Sequence, residues 1–526
     1  MAISMGKGSV GVLTGVFIAS LAVVVAVLLL RTYNLPELKV AWKGKGAPRI
    51  ELEEDEREQL YEALKGALRI PTVSFSPSEQ NTTALEEFKE YIKSAFPRVF
   101  NSSLVEYELV GGYSHLFNVQ GSDNSLLPYM LLAHLDVVPA TPEGWDLPPF
   151  SGEEKDGYIY GRGSLDDKSR VIDVAAQSGR TLFGVLIGLH FTLPKGILQA
   201  LEFLFKKGYK PRRSFYIGLG HDEEISGRHG AKEIVKTLET RNVKLEYLLD
   251  EGFGVLDGVI YGTKRPIALI GVTEKGAITL NLTVNSPPGH SSMPPRESSI
   301  GILSAALSRL EQDQMPNRFG KGPEGAMFEQ LADEFYFPLN IVMANLWLFG
   351  PLVSRILQRT PSGNALVRTT TALTIFNAGI KSNVIPQTAR ATVNFRIHPA
   401  ETVNEVLKAM NTTIMDDRVI PSSDVPFFDP PSISPHDEET FGYQTVKRSI
   451  TDVFLVEPVA PGVSIGNTAS IYKFRALVIK DEDLSRFHGI NERISKEGIE
   501  TVVQFYFQLI QNSDTDIVPV QSHLEL

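Results

Sequence analysis

His134 and Asp136 stand two apart in AHLDVVP, and Asp166 and Asp167 are adjacent in YGRGSLDDK. Glu223 and Glu224 are adjacent in LGHDEEISG, Asp250 sits in YLLDEG, and His488 in RFHGINE. Imidazoles and carboxylates suit zinc, which takes His nitrogen at about 2.0–2.1 Å and carboxylate oxygen at about 2.0–2.2 Å. Two such ions about 3.5–4 Å apart can share one carboxylate and one water, and that water loses its proton near neutral pH. The chemistry also needs a carboxylate that stays off the metal, takes the proton and hands it to a leaving amine. The Glu223–Glu224 pair offers that division, one as ligand and one as base. In His134-x-Asp136 the carboxylate can accept from the ring nitrogen turned away from a metal, fixing the tautomer. Taken singly, each motif reads as well as a satisfied strand-end residue or a solvated loop. Their positions in the chain carry the case.

Short apolar runs at 130–134, 214–220 and 247–250 read as buried strands, each ending at a polar residue. Stretches 196–208 and 231–241 read as the helices between them. Such alternation predicts an α/β fold with a mostly parallel sheet and helices on both faces. Ligands bind beyond the carboxyl ends of such strands, where these residues fall. The middle differs: 277–286 and 391–399 alternate polar and apolar residues, as half-exposed antiparallel strands do. Between them lie a helical 298–311 and a long apolar stretch, 335–357. The expected organisation is a leader over 1–35, a catalytic domain in two parts (36–275 and 398–526), and an inserted α+β domain over 276–397.

The composition narrows the partners. Of 526 residues, 43% are hydrophobic and 21% charged, which fits a globular chain of several domains. A net charge of −11 without a basic run argues against nucleic acid. Cysteine is absent, so disulfides, thiolate metal sites and thiol nucleophiles are excluded, and a metal must use the ten His and the acidic residues. From Val10 to Leu30 no charge interrupts an apolar run flanked by Lys7 and Arg31. About 20 such residues can span a bilayer, whereas a cleaved signal has an apolar region of roughly 7–15. A signal peptide or an uncleaved signal-anchor is therefore expected, and either sends the body to the secretory pathway, secreted or membrane-anchored. Sequons at Asn81, Asn101, Asn281 and Asn411 agree with glycosylation there.

HLDVVP, GRGSLDDK, GHDEEISG, LLDEG and FHG, in this order, resemble the di-zinc amidohydrolase family of aminoacylase, carnosinase, bacterial glutamate carboxypeptidase and succinyl-diaminopimelate desuccinylase. The likeness runs from about Leu60 to about Gln511. PFSGEEKDGYIYGRG, RRSFYIGLGHDEE, GHSSMPP and TTTALTIFNAGIKSNVIP most resemble the branch that forms and cleaves N-fatty-acyl amino acids. The resemblance implies two Zn2+ per chain, with His134 and Asp250 on one, Glu224 and His488 on the other, and Asp166 bridging through a cis Asp166–Asp167 peptide. It makes Glu223 the general base and Asp136 the residue that orients His134. The insert becomes a lid and dimerisation domain, whose His290 polarises the scissile carbonyl and, in dimeric relatives, reaches the neighbouring subunit's site. Asn383 and Arg396 match substrate-contacting positions, although an exposed strand charge also explains Arg396. The implied partners are N-acyl amino acids, fatty acids and amino acids, a second copy paired through the lid, and a membrane or lipoprotein.

Two departures from the family qualify this. Between Lys168 and a helix expected near Gly196, about 26 residues (170–195) intervene, including the apolar TLFGVLIGLHFTLP. They read as an added loop, and His190 within them as an ordinary loop histidine. At 466–474 the sequence GNTASIYKF lacks the Asp-Ser-Arg continuation that supplies a carboxylate-binding arginine in relatives; Lys473 and Arg475 are the basic residues near. The rival expectations are a carnosinase-like dipeptidase or carboxypeptidase, and a catalytically impaired variant.

Overall fold

The computed structural model describes residues 7–33, 41–42, 49–76, 78–165, 194–456, 459–464 and 471–518. Asp166, Asp167, most of the apolar insertion with His190, and Gly466 and Thr468 lie outside these residues. Helix α1 (Lys7–Tyr33) comes first. There follow β1 (Val105–Val110), β2 (Ser114–Val119), β3 (Tyr129–His134), α2 (Pro194–Lys206) and β4 (Phe215–Gly220). Then come α3 (Ala231–Thr240), β5 (Leu248–Asp257) and β6 (Ile267–Glu274). All six residues of β3, YMLLAH, are buried, as a central strand covered on both faces requires. Leu131 and Ala133 belong to the main core with Leu201 and Phe505, whereas Met130 and Leu132 pack with Ile234 and Leu238 on the other face. Helices on both faces follow directly from that alternation.

The chain then builds a second layer. It contains β7 (Gly276–Asn285), α4 (Ser299–Gln312), α5 (Leu339–Ala344), α6 (Leu346–Leu357), β8 (Thr370–Ala378), β9 (Thr388–Ile397), α7 (Val403–Ile414) and β10 (Ile420–Ser422). It returns to the first layer through β11 (Val459–Ser464), β12 (Ile471–Lys480) and α8 (Lys496–Asn512). Among the described residues the large sheet has eight strands in the order β11-β6-β12-β5-β3-β4-β2-β1. Its centre, β12-β5-β3-β4, is parallel, and antiparallel pairs flank it. The smaller sheet, β8-β9-β7-β10, is antiparallel throughout. Alternate residues of β7 and β9 are buried against α4 and α7, which matches their polar–apolar alternation.

Two expectations change. The run 247–250 does not end at Asp250; β5 continues to Asp257 with a break of register after Asp250. The apolar stretch 335–357, set by the sequence inside the inserted domain, does not join the core of the small sheet. It forms α5 and α6, broken at Asn345, and packs on Leu256, Ile267, Leu269 and Ile479 of the large sheet.

Where the chain passes between the two sheets, at Glu274–Lys275–Gly276, polar groups are buried rather than solvated. The Lys275 ammonium donates to the Arg368 carbonyl at 2.8 Å, and burial pushes it down to about 7. His398 lies fully buried with Glu324 at 3.8 Å. Burial, aided by the charges of Lys275 and Arg318, pushes His398 down to about 3. His115 in β2, bonded to the Tyr107 hydroxyl at 3.1 Å, is likewise pushed down to about 3, chiefly by burial.

Both histidines are neutral in the fold, whereas the unfolded chain protonates them below about 6.5. The unfolded chain thus binds more protons, so this stability is present above pH 6.5 and is lost as pH falls from there toward 3. Each histidine contributes a slope of up to about 1.4 kcal/mol per pH unit. Urea unfolding between pH 7 and 5 should show the fall, and His115→Asn should flatten it; an unchanged slope in that variant would contradict the assignment.

Candidate active site

Strand β3 delivers His134 at its carboxyl end, opposite Gly220, the last residue of the neighbouring parallel strand β4. Glu223 and Glu224 lie in the turn just beyond. The fully buried Asp136 ties the two strand ends together. Its carboxylate oxygens accept the backbone N–H groups of Glu223 at 3.0 Å and Glu224 at 3.2 Å. Oδ1 also stands 3.4 Å from His134 Nδ1. Asp136 thus lies beside the His134 ring and also clamps the glutamate turn. Asp222 holds the rest of that turn by accepting from the N–H groups of His229 at 2.7 Å and Gly230 at 2.8 Å.

Strand β5 contributes differently from expectation. Asp250 faces Lys473 of β12, its partner in the ladder, at 3.0 Å. Glu251, the next residue, has its Oε2 3.4 Å from His134 Nε2. One ligand atom from each of His134, Glu223 and Glu251 falls within 4.8 Å of the others. Glu251 thus joins His134, as a candidate that the sequence reading did not single out, although it is adjacent to Asp250 in YLLDEG.

Lys473 is also ion-paired with Glu274. Burial alone would lower its pKa, but the carboxylates of Asp250, Glu274 and Glu251 hold it well above the lysine range. Its ammonium is therefore committed inside the protein. Arg475, also buried, lies with its guanidinium 5.4 Å from the centre of the Phe487 ring. The two basic residues near the missing arginine thus both have structural partners.

His488 approaches from a loop, its Nε2 3.6 Å from Glu224 Oε1. Its φ of 53° lies in the left-handed region, uncommon for a side chain of this kind. Arg162 sustains it by donating to the His488 and Gly489 carbonyls, both at 3.0 Å. Arg162 is itself paired with buried Glu492 at 2.6 Å, and Glu492 accepts from the Gly163 and Leu165 N–H groups at 3.0 and 2.8 Å. This pair aligns the His488 loop with the segment that runs into Asp166. Neither residue was singled out from the sequence, although both sit inside the quoted motifs YGRG and FHGINE.

Asp136, Glu224, Asp250, Glu251 and Glu274 are all buried, with Glu223 half-buried beside them. Carboxylates out of water cost several kcal/mol each unless a cation balances them. Lys473 answers two of them. Two imidazole–carboxylate groups, His134 with Glu251 and His488 with Glu224, are a nitrogen–oxygen donor set of the kind zinc accepts, and Glu223 stands beside the first. The residues fit a metal centre.

The remaining candidates lie apart from it. His290 is exposed and pairs with Val384 across a two-residue ladder, and the Ser291 N–H donates to the Asn383 carbonyl at 3.1 Å. His290 and Asn383 thus lie in neighbouring segments on the small sheet's side. Arg396, half-buried on β9, stands opposite Ala277 and Thr370.

Family models described as the peptidase dimerisation domain and as peptidase family M20/M25/M40 match residues 272–418 and 130–177. The N-fatty-acyl-amino acid synthase/hydrolase of Xenopus tropicalis is 61% identical over 528 residues, covering 99% of this chain and 98% of that protein. The chain belongs to the M20 peptidase family. The human protein of the same description is 52% identical over 480 residues, covering 89% and 90%. Dictyostelium discoideum's probable carboxypeptidase S-like 2 is 37% identical over 473 residues, covering 87% and 85%. Human carnosine dipeptidase 1 shares the fold, with a TM-score of 0.57 at 16% identity over 89% of this chain and all of that one. Membership makes the chain a metal-dependent hydrolase of amide bonds, and it matches the two-layer α/β architecture described above.

The Arg162–Glu492 pair yields a test. Arg162→Met leaves Glu492 buried without its cation and should cost about 3–5 kcal/mol in urea unfolding. Freed of its carbonyl anchors, His488 should also lose roughly 10–100-fold in zinc affinity, as loss of supporting hydrogen bonds does at metal sites. Unchanged zinc affinity in a folded Arg162→Met protein would contradict the positioning role.

Proposed function

We propose that the chain hydrolyses N-fatty-acyl amino acids and, in reverse, forms them from a free fatty acid and an amino acid. The observation that carries the substrate class is the full-length 61% identity to a synthase/hydrolase of such compounds. The reaction class rests on the convergence of His134, Glu223 and Glu251 beside Glu224 and His488. We propose two zinc ions, which His134, Asp166, Glu224 and His488 would help to hold, with a carboxylate from position 250 or 251. When bound, such a pair polarises the amide carbonyl and lowers the pKa of water.

The chain's own residues supply the rest. Asp136 holds His134 in one orientation and fixes the backbone of Glu223, so the carboxylate of Glu223 is aimed rather than free. Glu223 is half-buried while Glu224 is buried against His488, which supports Glu223 as the proton carrier and Glu224 as ligand. Glu223 takes the proton of the attacking water and delivers it to the departing amine nitrogen, so the proton is conserved over the cycle. In the condensation direction the same carboxylate takes a proton from the amine.

The adjacent positions 250 and 251 supply the carboxylate partner of His134, with Glu251 the one in reach. His290, Asn383 and Arg396 are proposed to meet substrate, His290 in the site of a second copy joined through the small-sheet layer. The match to a dimerisation domain over 272–418 supports that pairing. The apolar α1 supports entry to the secretory pathway, as a secreted or anchored protein, and the exposed Asn101 and Asn411 support glycosylation.

The test is Glu223→Gln. Hydrolysis of N-oleoyl-phenylalanine should fall by roughly 10²–10⁴, the usual contribution of a general acid–base, while bound zinc is unchanged. Loss of zinc along with activity would instead make Glu223 a ligand. Wild-type protein that cleaves a simple dipeptide faster than N-oleoyl-phenylalanine would overturn the lipid assignment and favour the dipeptidase reading.

A further inference from the structure

The chain carries four sequons, and the fold treats them differently. Asn81 caps a helix: its side-chain oxygen accepts the Ala84 N–H at 3.1 Å, and its amide donates to the Pro71 carbonyl at 3.0 Å. Asn281 on β7 donates to Asp424 at 2.8 Å and accepts from the Thr392 hydroxyl at 2.9 Å. A sugar on either amide would displace bonds that hold the fold. Asn101 and Asn411 are exposed instead. Asn101 ends a short helix, Pro97–Asn101, that packs Val99 into the large-sheet core. Asn411 stands on the wall of a cleft.

That cleft is open to solvent, has a volume of about 500 Å³ and runs between α7 and the segment after β10. Helix α7 buries Val403, Val406, Met410 and Ile414 in the small-sheet core. Asn411 follows Met410 and lies one turn beyond Leu407, on the rim of that apolar stripe. Pro421, Val425 and Phe427 line the cleft with them. Val425 is 40% exposed, and Phe427 packs half-buried on the small-sheet core. The Ser423 hydroxyl lies 2.9 Å from the Thr279 carbonyl and 2.6 Å from the Val425 carbonyl, so it is already engaged within the fold. Exposed apolar surface of this kind marks a binding place. Here it has an attachment atom on its wall, which names the occupant.

We propose that the first N-acetylglucosamine of a glycan on Asn411 sits in this cleft, the C–H face of its ring against Phe427 and Val425. The sugar comes from a lipid-diphosphate-linked oligosaccharide. Asn411 Nδ2 bonds to the anomeric carbon, and the bond from that carbon to the diphosphate oxygen breaks. The diphosphate leaves with the electron pair, and the amide gives up one proton. This seating depends on the proposed entry to the secretory pathway, where such donors act, and is independent of the catalytic reading. Its effect is local. Strand β10 has three residues, stands at an edge and pairs only with β7, an arrangement that leaves backbone groups unpaired. A sugar fixed beside it covers 420–427 and holds that segment closed.

The test uses the full chain expressed in mammalian cells that make only high-mannose glycans. Three forms are compared: intact, trimmed by an endoglycosidase to one N-acetylglucosamine, and Asn411→Gln. Peptide mass spectrometry should find the glycan on Asn411. Hydrogen exchange over 420–427, which reports local opening, should be several-fold slower in the intact and trimmed forms than in Asn411→Gln. Val425→Ser, at an exposed position, should remove most of that difference, and Asn101→Gln should leave it unchanged. Equal exchange with and without the sugar would overturn the proposal. So would protection lost on trimming, which would assign it to the outer sugars. Sugar-free protein whose 420–427 segment becomes protected at higher protein concentration, or on adding oleate, would overturn it by naming a second copy or a fatty acid as the occupant. Unmodified Asn411 would overturn it as well; a glycan on Asn101 in the same protein would then leave secretory entry standing, and its absence from both would remove that reading too.

Discussion

The structure depends on keeping several carboxylates out of water at one end of a parallel sheet. A strand-end carboxylate is ordinarily solvated or neutralised by protonation, and an isolated buried one costs several kcal/mol. Here the chain meets that cost in three ways. Backbone N–H groups satisfy Asp136, Lys473 neutralises Asp250 and Glu274, and the His134 and His488 imidazoles face Glu251 and Glu224. A bound cation completes the balance, which is why the donor set is both a stability requirement and a reactive centre.

The surrounding fold serves that requirement. Fully buried parallel strands fix where their ends emerge, so His134 and the turn after Gly220 are neighbours by register rather than by loop chance. The long-range pair Arg162–Glu492 performs the same service for His488, a ligand candidate that arrives on a loop. The left-handed backbone of His488 is affordable because two of the carbonyls around it are bonded to a buried guanidinium.

Much of this was legible in the sequence. Apolar runs ending at His134 and before Glu223 declared buried strands and their functional ends, and the alternation in 277–286 declared a half-exposed antiparallel strand. Three things were not legible. Glu251 reaches His134 from the position next to Asp250, and a run of two acids gives no sign of which one does so. The destination of 335–357 depended on which sheet had an uncovered apolar face, and Leu256, Ile267, Leu269 and Ile479 provide it only after the large sheet is assembled. Lys473 was one of two basic residues near the missing arginine segment, and its ladder partner in the β12–β5 pairing is Asp250. Sequence distance hid that neighbour completely.

The most direct measurement is zinc stoichiometry coupled to thermal unfolding of the full chain, before and after removal of metal with a chelator. If cations balance the buried carboxylates, the protein retains two zinc per chain, and chelation lowers its melting temperature. Excess zinc then restores it, by an amount near 4 kcal/mol when free zinc stands about 1,000-fold above Kd. A folded protein that holds no zinc and melts at the same temperature with chelator as with added zinc would contradict the account.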